Sequence, residues 1–85
     1  MATVYITFEI SKDFEDWKEV FDDDQDNLNE NGIETLAVGH ELDNPSKVRI
    51  ALSAESLEAV QEFMQGNNDT IEDSGHIIET TVFEE

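Results

Sequence analysis

The sequence predicts an α+β domain with the ferredoxin-like order βαββαβ, in which a four-stranded antiparallel sheet carries two helices on one face. Three observations predict this fold. Four segments alternate apolar and polar residues with the period of two that is typical of a strand with one buried face. Two further segments repeat apolar residues at helical spacing among acidic residues. The 85 residues suffice for a single domain, 1–85, and contain no cysteine that would support a small core with disulfides.

The first strand and the first helix precede Gly32. Residues 3–10 alternate, and one side of this strand carries Val4, Ile6, Phe8 and Ile10. Ser11 or Asp13 can cap the helix that follows. Its apolar face carries Phe14, Trp17, Phe21 and Leu28. Asn31-Gly32 is a natural helix stop, so we expect one helix of about 16–18 residues.

A hairpin is predicted next. Residues 33–43 have strand character, and one side carries Leu36, Val38, His40 and Leu42. Residues 43–46, Asp-Asn-Pro-Ser, form the turn, because proline presets one turn dihedral and Asp and Asn bond their own backbone. The second strand of the hairpin then buries Val48, Ile50 and Leu52.

The second helix and the last strand complete the order. Ser53 is the expected N-cap, with a hydrophobic staple between Leu52 and Leu57. The apolar stripe of this helix carries Leu57, Val60, Phe63 and Met64, and Gly66 ends it. Asp69 and Glu72 resemble a capping box, which predicts a short helical turn over 69–74 that ends at Gly75. Residues 76–83 form the last strand.

Strand alternation predicts what each sheet face carries. Facing the helices we expect Val4, Ile6, Phe8, Leu36, Val38, Val48, Ile50, Leu52, Ile78 and Val82. The other face carries Tyr5, Thr7, Glu9, Thr35, Ala37, Gly39, Arg49, Ala51, Ile77, Glu79, Thr81 and Phe83. This second face is partly apolar, and no third helix remains to cover it. We therefore expect a homodimer that buries the open face against a second copy.

The charge is strongly acidic. Lys and Arg total 4 against 22 Asp and Glu, so the formal net charge is −18. Such a surface disfavours binding to nucleic acid and to anionic membranes. The acids are spread along the whole chain, which favours a role in solubility over attraction to a basic partner or mimicry of nucleic acid. No apolar stretch approaches the roughly 20 residues of a membrane span, and no basic leader precedes the first strand, so we expect a cytoplasmic protein.

Three segments resemble known proteins. They are Tyr5-Ile6-Thr7-Phe8, then Phe14-x-x-Trp17-x-x-x-Phe21-Asp22, and Ser74-Gly75-His76-Ile77-Ile78-Glu79-Thr80-Thr81-Val82. The pattern resembles a group of short uncharacterised proteins from marine cyanobacteria. More remotely it resembles the dimeric α/β-barrel superfamily, which includes antibiotic-biosynthesis-monooxygenase-like proteins. The resemblance implies the fold and dimerisation, but no reaction, because that superfamily spans cofactor-free oxygenases, degradation enzymes and modules without known chemistry.

The two histidines are the first candidate site residues. His76 begins the last strand, where a neutral imidazole can act as a base near pH 7, or merely cap the preceding turn or pack at the core edge. His40 should face the helices near the sheet edge as a satisfied, partly buried histidine. Metal ligation would need both histidines to converge with a carboxylate, and no H-x-x-x-H spacing exists.

The remaining candidates are Arg49, Trp17 and an acidic run. Arg49 can clamp a ligand carboxylate or neutralise Glu9 and Glu79 within a dimer interface, and the second interpretation is preferred. Trp17 is a core residue and a candidate ligand contact. Asp22, Asp24 and Asp26 suggest calcium. However, an EF-hand loop starting at Asp22 would need Gly and Glu where the chain has Asn27 and Ile33. We therefore expect neither a metal nor a cofactor.

Three functions follow from these observations. The leading one is a homodimeric small-molecule-binding or interaction module. The alternative is a cofactor-independent monooxygenase-like enzyme for a small aromatic or polyketide-like substrate, with Tyr5, His40 or His76 assisting proton transfer. The third is an acidic mimic that binds a basic protein. A ligand-sized apolar cavity reached by a histidine favours the enzyme, and a fully packed core favours the module. Tight, salt-sensitive capture of a basic partner favours the mimic.

Overall fold

A computed structural model describes all 85 residues. Its elements are β1 (Ala2–Ile10), α1 (Phe14–Asp23), α2 (Gln25–Glu30), β2 (Glu34–Glu41), β3 (Asn44–Ala54), α3 (Leu57–Gly66), α4 (Asn68–Asp73) and β4 (His76–Glu84). The strands form one antiparallel sheet in the order β2-β3-β1-β4. The predicted ferredoxin-like fold is confirmed, with each predicted helical region built from two helices. None of these helices has the length and hydrophobicity needed to span a bilayer.

The core lies between the central strands and the helices. β1 and β3 pair without interruption, so Val4 lies opposite Leu52, Ile6 opposite Ile50 and Phe8 opposite Val48. All six side chains are buried, as predicted. Trp17, Leu28 and Val60 are buried against them from the helices. The alternation of these two strands is therefore in phase along their whole paired length.

The first helical region bends at Asp24. This residue ends α1 and precedes α2, and its N–H donates to the carbonyls of both Val20 and Phe21. Asp13 is the N-cap of α1, although its side chain makes no capping hydrogen bond. Gly32 follows α2 at φ +77°, a backbone conformation that glycine adopts without steric cost. The predicted stop is confirmed, and the prediction of one continuous helix is wrong.

The second helical region begins later than predicted. Ser53 is not a cap, because it belongs to β3 and lies opposite both Thr3 and Glu34 in the sheet. Ser56 is the N-cap of α3, and its Oγ accepts a hydrogen bond from the N–H of Ala59 at 3.1 Å. The Leu52–Leu57 staple is therefore absent, since Leu52 lies within the sheet. α3 ends at Gly66 as predicted.

Two details of the loops also differ from the predictions. α4 is present, but it begins after Asn67, so Asp69 is not its cap and the capping box does not form. The hairpin turn consists of Leu42 and Asp43, and Asn44 already pairs with Glu41 across the hairpin. Leu42 is consequently 97% exposed at the tip of the turn and does not face the helices.

A bulge in β2 changes which residues face the helices. Thr35 lies opposite Leu52, and Ala37 lies opposite Ala51, so Leu36 is an extra residue in this strand. Thr35 therefore faces the helices, whereas Leu36 is 51% exposed. The sequence predicted Leu36 on the helix side and Thr35 on the open face. Both predictions are wrong, because one extra residue in a strand moves the side chains that precede it to the other face of the sheet. The Thr35 hydroxyl is buried without a hydrogen-bond partner.

A larger irregularity in β4 has the same effect. Ile77 lies opposite Glu9 and Val82 lies opposite Thr7, so β4 has extra residues between these two pairs. Phe83, opposite Ile6, packs on the core, and Val82 is 52% exposed. The sequence predicted the opposite for both. The open face of the sheet therefore includes Tyr5, Thr7, Glu9, Ala37, Gly39, Arg49, Ala51, Ile77 and Val82.

A candidate ligand-binding cavity

A cavity of about 70 Å³ lies between the sheet and the helices. α1 packs with α2 and α3 packs with α4, and the two pairs make little contact with each other, which leaves this space. One direct side-chain hydrogen bond joins the pairs, from Asn27 Nδ2 to Asn67 Oδ1 at 3.1 Å. This is about half the volume of an engineered apolar cavity that binds benzene, so a small ring fits only if part of it extends toward the opening of the cavity.

The cavity wall is mainly apolar. Of its 17 lining residues, 13 are hydrophobic, so an aqueous solute gains little by entering unless it is apolar. Trp17 is central to this wall, with ring centroids 5.4 Å from Phe8 and 5.0 Å from Phe21, and the Phe21 ring is stacked on it. Trp17 is thus both a core residue, as predicted, and part of the cavity wall.

Four polar residues line the same cavity at two depths. Thr70 is exposed and Asp24 is half-buried, so these two mark the mouth. Ser74 and His76 are buried deep in the wall. The Ser74 hydroxyl already donates to the carbonyl of Ile71. Ser74 can therefore only accept a hydrogen bond from a ligand, and His76 is the deep polar group with a ring nitrogen that makes no hydrogen bond within the chain.

His76 is held in place on two sides. Its ring stacks on Phe8, with centroids 3.7 Å apart and planes 6° from parallel. Its Nε2 lies 2.6 Å from Thr81 Oγ1, and its Nδ1 makes no hydrogen bond. With 5% of the residue exposed, burial lowers the pKa of His76 from 6.5 to about 4, since the charged ring would lose its hydration. The imidazole is consequently neutral at pH 7.

The loop before His76 is fixed by the end of β1. Gly75 has φ +102°, and its carbonyl accepts a hydrogen bond from the N–H of Ser11 at 2.8 Å. The aliphatic stem of Lys12 covers Gly75, and Lys12 Nζ donates to the carbonyl of Asp73 at 2.8 Å. Ser74 and Gly75 therefore form a turn that these contacts hold in place. The turn positions His76, at the start of β4, in the cavity wall.

His40 lies elsewhere. It pairs with Val48 on the helix side of the sheet, but it is exposed, so the prediction of a partly buried histidine is wrong. Its ring meets Phe14 edge-on at 4.6 Å, and its Nδ1 lies 2.9 Å from the carbonyl of Glu41. His40 does not line the cavity. No group of three His, Cys, Asp or Glu side chains has the spacing of a metal site.

Tyr5 and Arg49 lie on the open face, away from the cavity. Both line a shallow hollow there, to which His40 also contributes, and Tyr5 is 51% exposed. Arg49 forms no ion pair within the chain, where the two pairs are Lys18–Asp22 and Lys47–Glu41. The structure therefore brings Tyr5, His40 and Arg49 to one hollow and places His76 apart from them, in the cavity.

Two parts of the site were missing from the sequence predictions. Thr81 was placed on the open face, whereas the irregularity in β4 brings it to His76. Thr70 at the mouth was not recognised as a site residue, and Asp24 was considered only as part of a calcium loop that the sequence does not complete. Thr81 was missed because strand alternation contains no signal for the extra residues in β4. The cavity was missed because the periodicity of a helix does not encode its distance from the other helices.

Comparisons with known proteins agree with this fold. The family profile of a domain of unknown function, DUF3764, matches residues 1–85. A candidate antibiotic biosynthesis monooxygenase from Nitrosomonas europaea shares the fold with a TM-score of 0.65 and 11% identity, over 96% of this chain and 84% of that one. A candidate antibiotic biosynthesis monooxygenase from Deinococcus radiodurans matches with a TM-score of 0.62 and 14% identity, over 100% and 91% of the two chains. No curated protein matches in sequence.

Proposed function

Because the chain belongs to the DUF3764 family of domains of unknown function, we propose its function from the cavity: it binds a small, neutral, largely apolar ring with one hydrogen-bonding group. The observation that carries this proposal is the neutral, buried His76 in a mainly apolar wall. A cavity with few, convergent polar groups is the usual form of a small-molecule site.

The shape and the lining define the apolar part of the ligand. Phe8, Trp17, Phe21 and Phe63 supply aromatic surface, against which a flat ring packs favourably. The volume of about 70 Å³ is about half that of an engineered apolar cavity that binds benzene, so the ring is small and extends toward the mouth. The fused rings of a polyketide exceed this space.

Charge restricts the polar part of the ligand. No lysine or arginine lines the cavity, and Asp24 stands at its mouth, so nothing there compensates a ligand carboxylate or phosphate. The net charge of −18 also repels anions at a distance. A neutral hydroxyl or N–H group that meets His76 satisfies both conditions.

Phenol and toluene, which have the same number of heavy atoms, test this proposal. We expect phenol to bind more tightly than toluene by about fivefold, because one net hydrogen bond contributes about 1 kcal/mol. Amide chemical shifts of the cavity residues measure both affinities. In the His76→Leu protein phenol should lose its advantage over toluene, whereas His40→Leu, at the histidine outside the cavity, should leave the difference unchanged. Equal affinities in the wild type, or shifts confined to the surface, would contradict the proposal.

A second candidate is a cofactor-independent monooxygenase-like enzyme. His76 at the cavity favours it, since a bound phenol or enol can donate a hydrogen bond to the ring and be held there for reaction with O2. Because burial lowers the pKa of His76 to about 4, the ring is a weak base, so the proton of the substrate passes to water at the cavity mouth. Oxygen uptake with small hydroquinones tests it. Uptake that is lost in His76→Leu and kept in His40→Leu supports the enzyme, and uptake equal to the protein-free rate contradicts it.

For the partner, we propose a second copy of the chain on the open sheet face. Exposed Tyr5 and Val82 lie there among small residues, and Arg49 supplies a positive charge without an ion pair. Stable interfaces bury about 1,200–2,000 Å² in total, which two such faces can supply. Sheet-to-sheet packing also keeps the acidic helices on the outside of both copies, where their mutual repulsion is weakest.

A further inference from the structure

His76 and Thr81 meet although they are five residues apart in one strand. In a regular strand an odd separation places two side chains on opposite faces of the sheet. The irregularity in β4 changes this alternation. Ile77 and Val82 are five residues apart in β4, yet they pair with Glu9 and Thr7, which are only two residues apart in β1. The side chains of His76 and Thr81 consequently both lie on the helix side.

Thr80 fixes this irregularity. Its Oγ1 accepts a hydrogen bond from the N–H of Glu9 at 2.8 Å and donates to the carbonyl of Ile77 at 2.7 Å. The backbone N–H of Glu9 thus gains the partner that a regular ladder would have supplied. The contact between His76 Nε2 and Thr81 Oγ1, at 2.6 Å, is therefore a fixed feature of the strand.

The proton of the neutral imidazole has two possible positions. If Thr81 donated to Nε2, the proton would be on Nδ1, where no group of the protein accepts it. In proteins the orphaned backbone N–H is rarer than the under-satisfied carbonyl, and by the same preference we place the ring proton on the nitrogen that has an oxygen partner. If Nε2–H donates to Thr81, the threonine proton can reach water, since half-buried Thr81 also lines an outer groove beside Gln61 and Asn68.

We infer that Thr81 selects the tautomer of His76 with its proton on Nε2, so that the cavity presents a hydrogen-bond acceptor and selects rings that donate a hydrogen bond. This inference rests on the proposed function and narrows its ligand class to phenols, enols and N–H heterocycles, as opposed to ethers and ketones. Thr81 acts through His76 and touches no ligand, so it is a positioning residue.

The first measurement needs no ligand. Nitrogen-15 chemical shifts of the ring distinguish a protonated from an unprotonated nitrogen. In the wild type at pH 7 we expect protonated Nε2 and unprotonated Nδ1. Thr81→Val should move part of the population to the other tautomer, and Thr81→Ser, which keeps the hydroxyl, should restore the wild-type spectrum. A protonated Nδ1 in the wild type, or a Thr81→Val spectrum identical to that of the wild type, would overturn the inference.

The second measurement uses pyrrole and furan, five-membered rings of the same size. Pyrrole only donates a hydrogen bond, and furan only accepts one. Pyrrole should bind the wild type about fivefold more tightly than furan, as one hydrogen bond allows. The difference should shrink in Thr81→Val and return in Thr81→Ser. Furan binding as tightly as pyrrole would refute the selection. A wild type with the expected tautomer that binds neither ring would refute the proposed function and still support the tautomer.

Discussion

Replacing Gly75 with alanine should destabilise the protein strongly. Gly75 has φ +102°, where a residue with a Cβ is strained by about 1–3 kcal/mol. The new Cβ would also lie 3.0 Å from Lys12 Cγ and 3.2 Å from both Lys12 Cβ and Lys12 Cδ. The stem of Lys12 is flexible and can move, so we assign most of the cost to the backbone. A loss of about 2 kcal/mol lowers the thermal midpoint of a domain of this size by about 10 °C.

Gly66→Ala is the matched control. Gly66 is the last residue of α3, it has no positive φ, and no atom lies within 4 Å of an added Cβ. Alanine there should raise the free energy of unfolding by about 0.5 kcal/mol, because it reduces the freedom of the unfolded chain.

Urea titrations of both proteins give the two changes in unfolding free energy. The Lys12→Ala background separates strain from steric contact, since the cost of Gly75→Ala should persist when the stem of Lys12 is absent. If Gly75→Ala is as stable as the wild type while Gly66→Ala shows its gain, the backbone conformation assigned to Gly75 is wrong.

Three further predictions concern pH, salt and assembly. The pKa of His76 falls from 6.5 in the unfolded chain to about 4 in the folded one, so the unfolded state binds more protons between these values. The contribution of His76 to the free energy of unfolding is therefore complete above pH 6.5 and falls as the pH decreases to about 4. It amounts to at most about 3 kcal/mol. Urea titrations should show that His76→Leu lacks this decrease, and equal pH profiles would contradict the assignment. Thermal midpoints should rise from low salt to near-molar sodium chloride, because salt screens repulsion among 22 acids and 4 basic residues, and a constant midpoint would show that this repulsion is negligible. Sedimentation equilibrium at moderate salt should give the mass of two chains for the wild type and of one for Ala51→Arg, which forces a charge into the packed sheets. A wild type with the mass of one chain at tens of micromolar would exclude this dimer.

The sequence predicted the centre of the sheet better than its edges. β1 and β3 each have neighbours on both sides and one buried face, so their alternation and their burial agree. β2 and β4 have one neighbour each, and both contain irregularities that such a position tolerates. The wrong assignments of Thr35 with Leu36, and of Val82 with Phe83, all come from carrying a regular alternation through these irregularities.

The site was predictable only where it depends on local sequence. His76 was a candidate because the Ser-Gly-His segment before the last strand has a turn signal of its own, and Gly75 indeed adopts a positive φ. Its partner Thr81 depends on the register of β4 with β1, which the pattern of neither strand contains. The cavity depends on how far apart two helix pairs stand, which is a property of the whole packing.

The cavity also makes the protein sensitive to hydrostatic pressure. An apolar void of about 70 Å³ corresponds to about 40 mL per mole, and unfolding eliminates internal voids, so compression favours the unfolded chain. The mainly apolar wall holds water poorly, so the deep part of the cavity that stays empty contributes to this volume difference until a ligand enters. A ring that fills the space removes the void without altering the sheet. Empty and occupied protein should therefore differ in the volume change of unfolding itself, a quantity that depends on the filling of the cavity more directly than a thermal midpoint does.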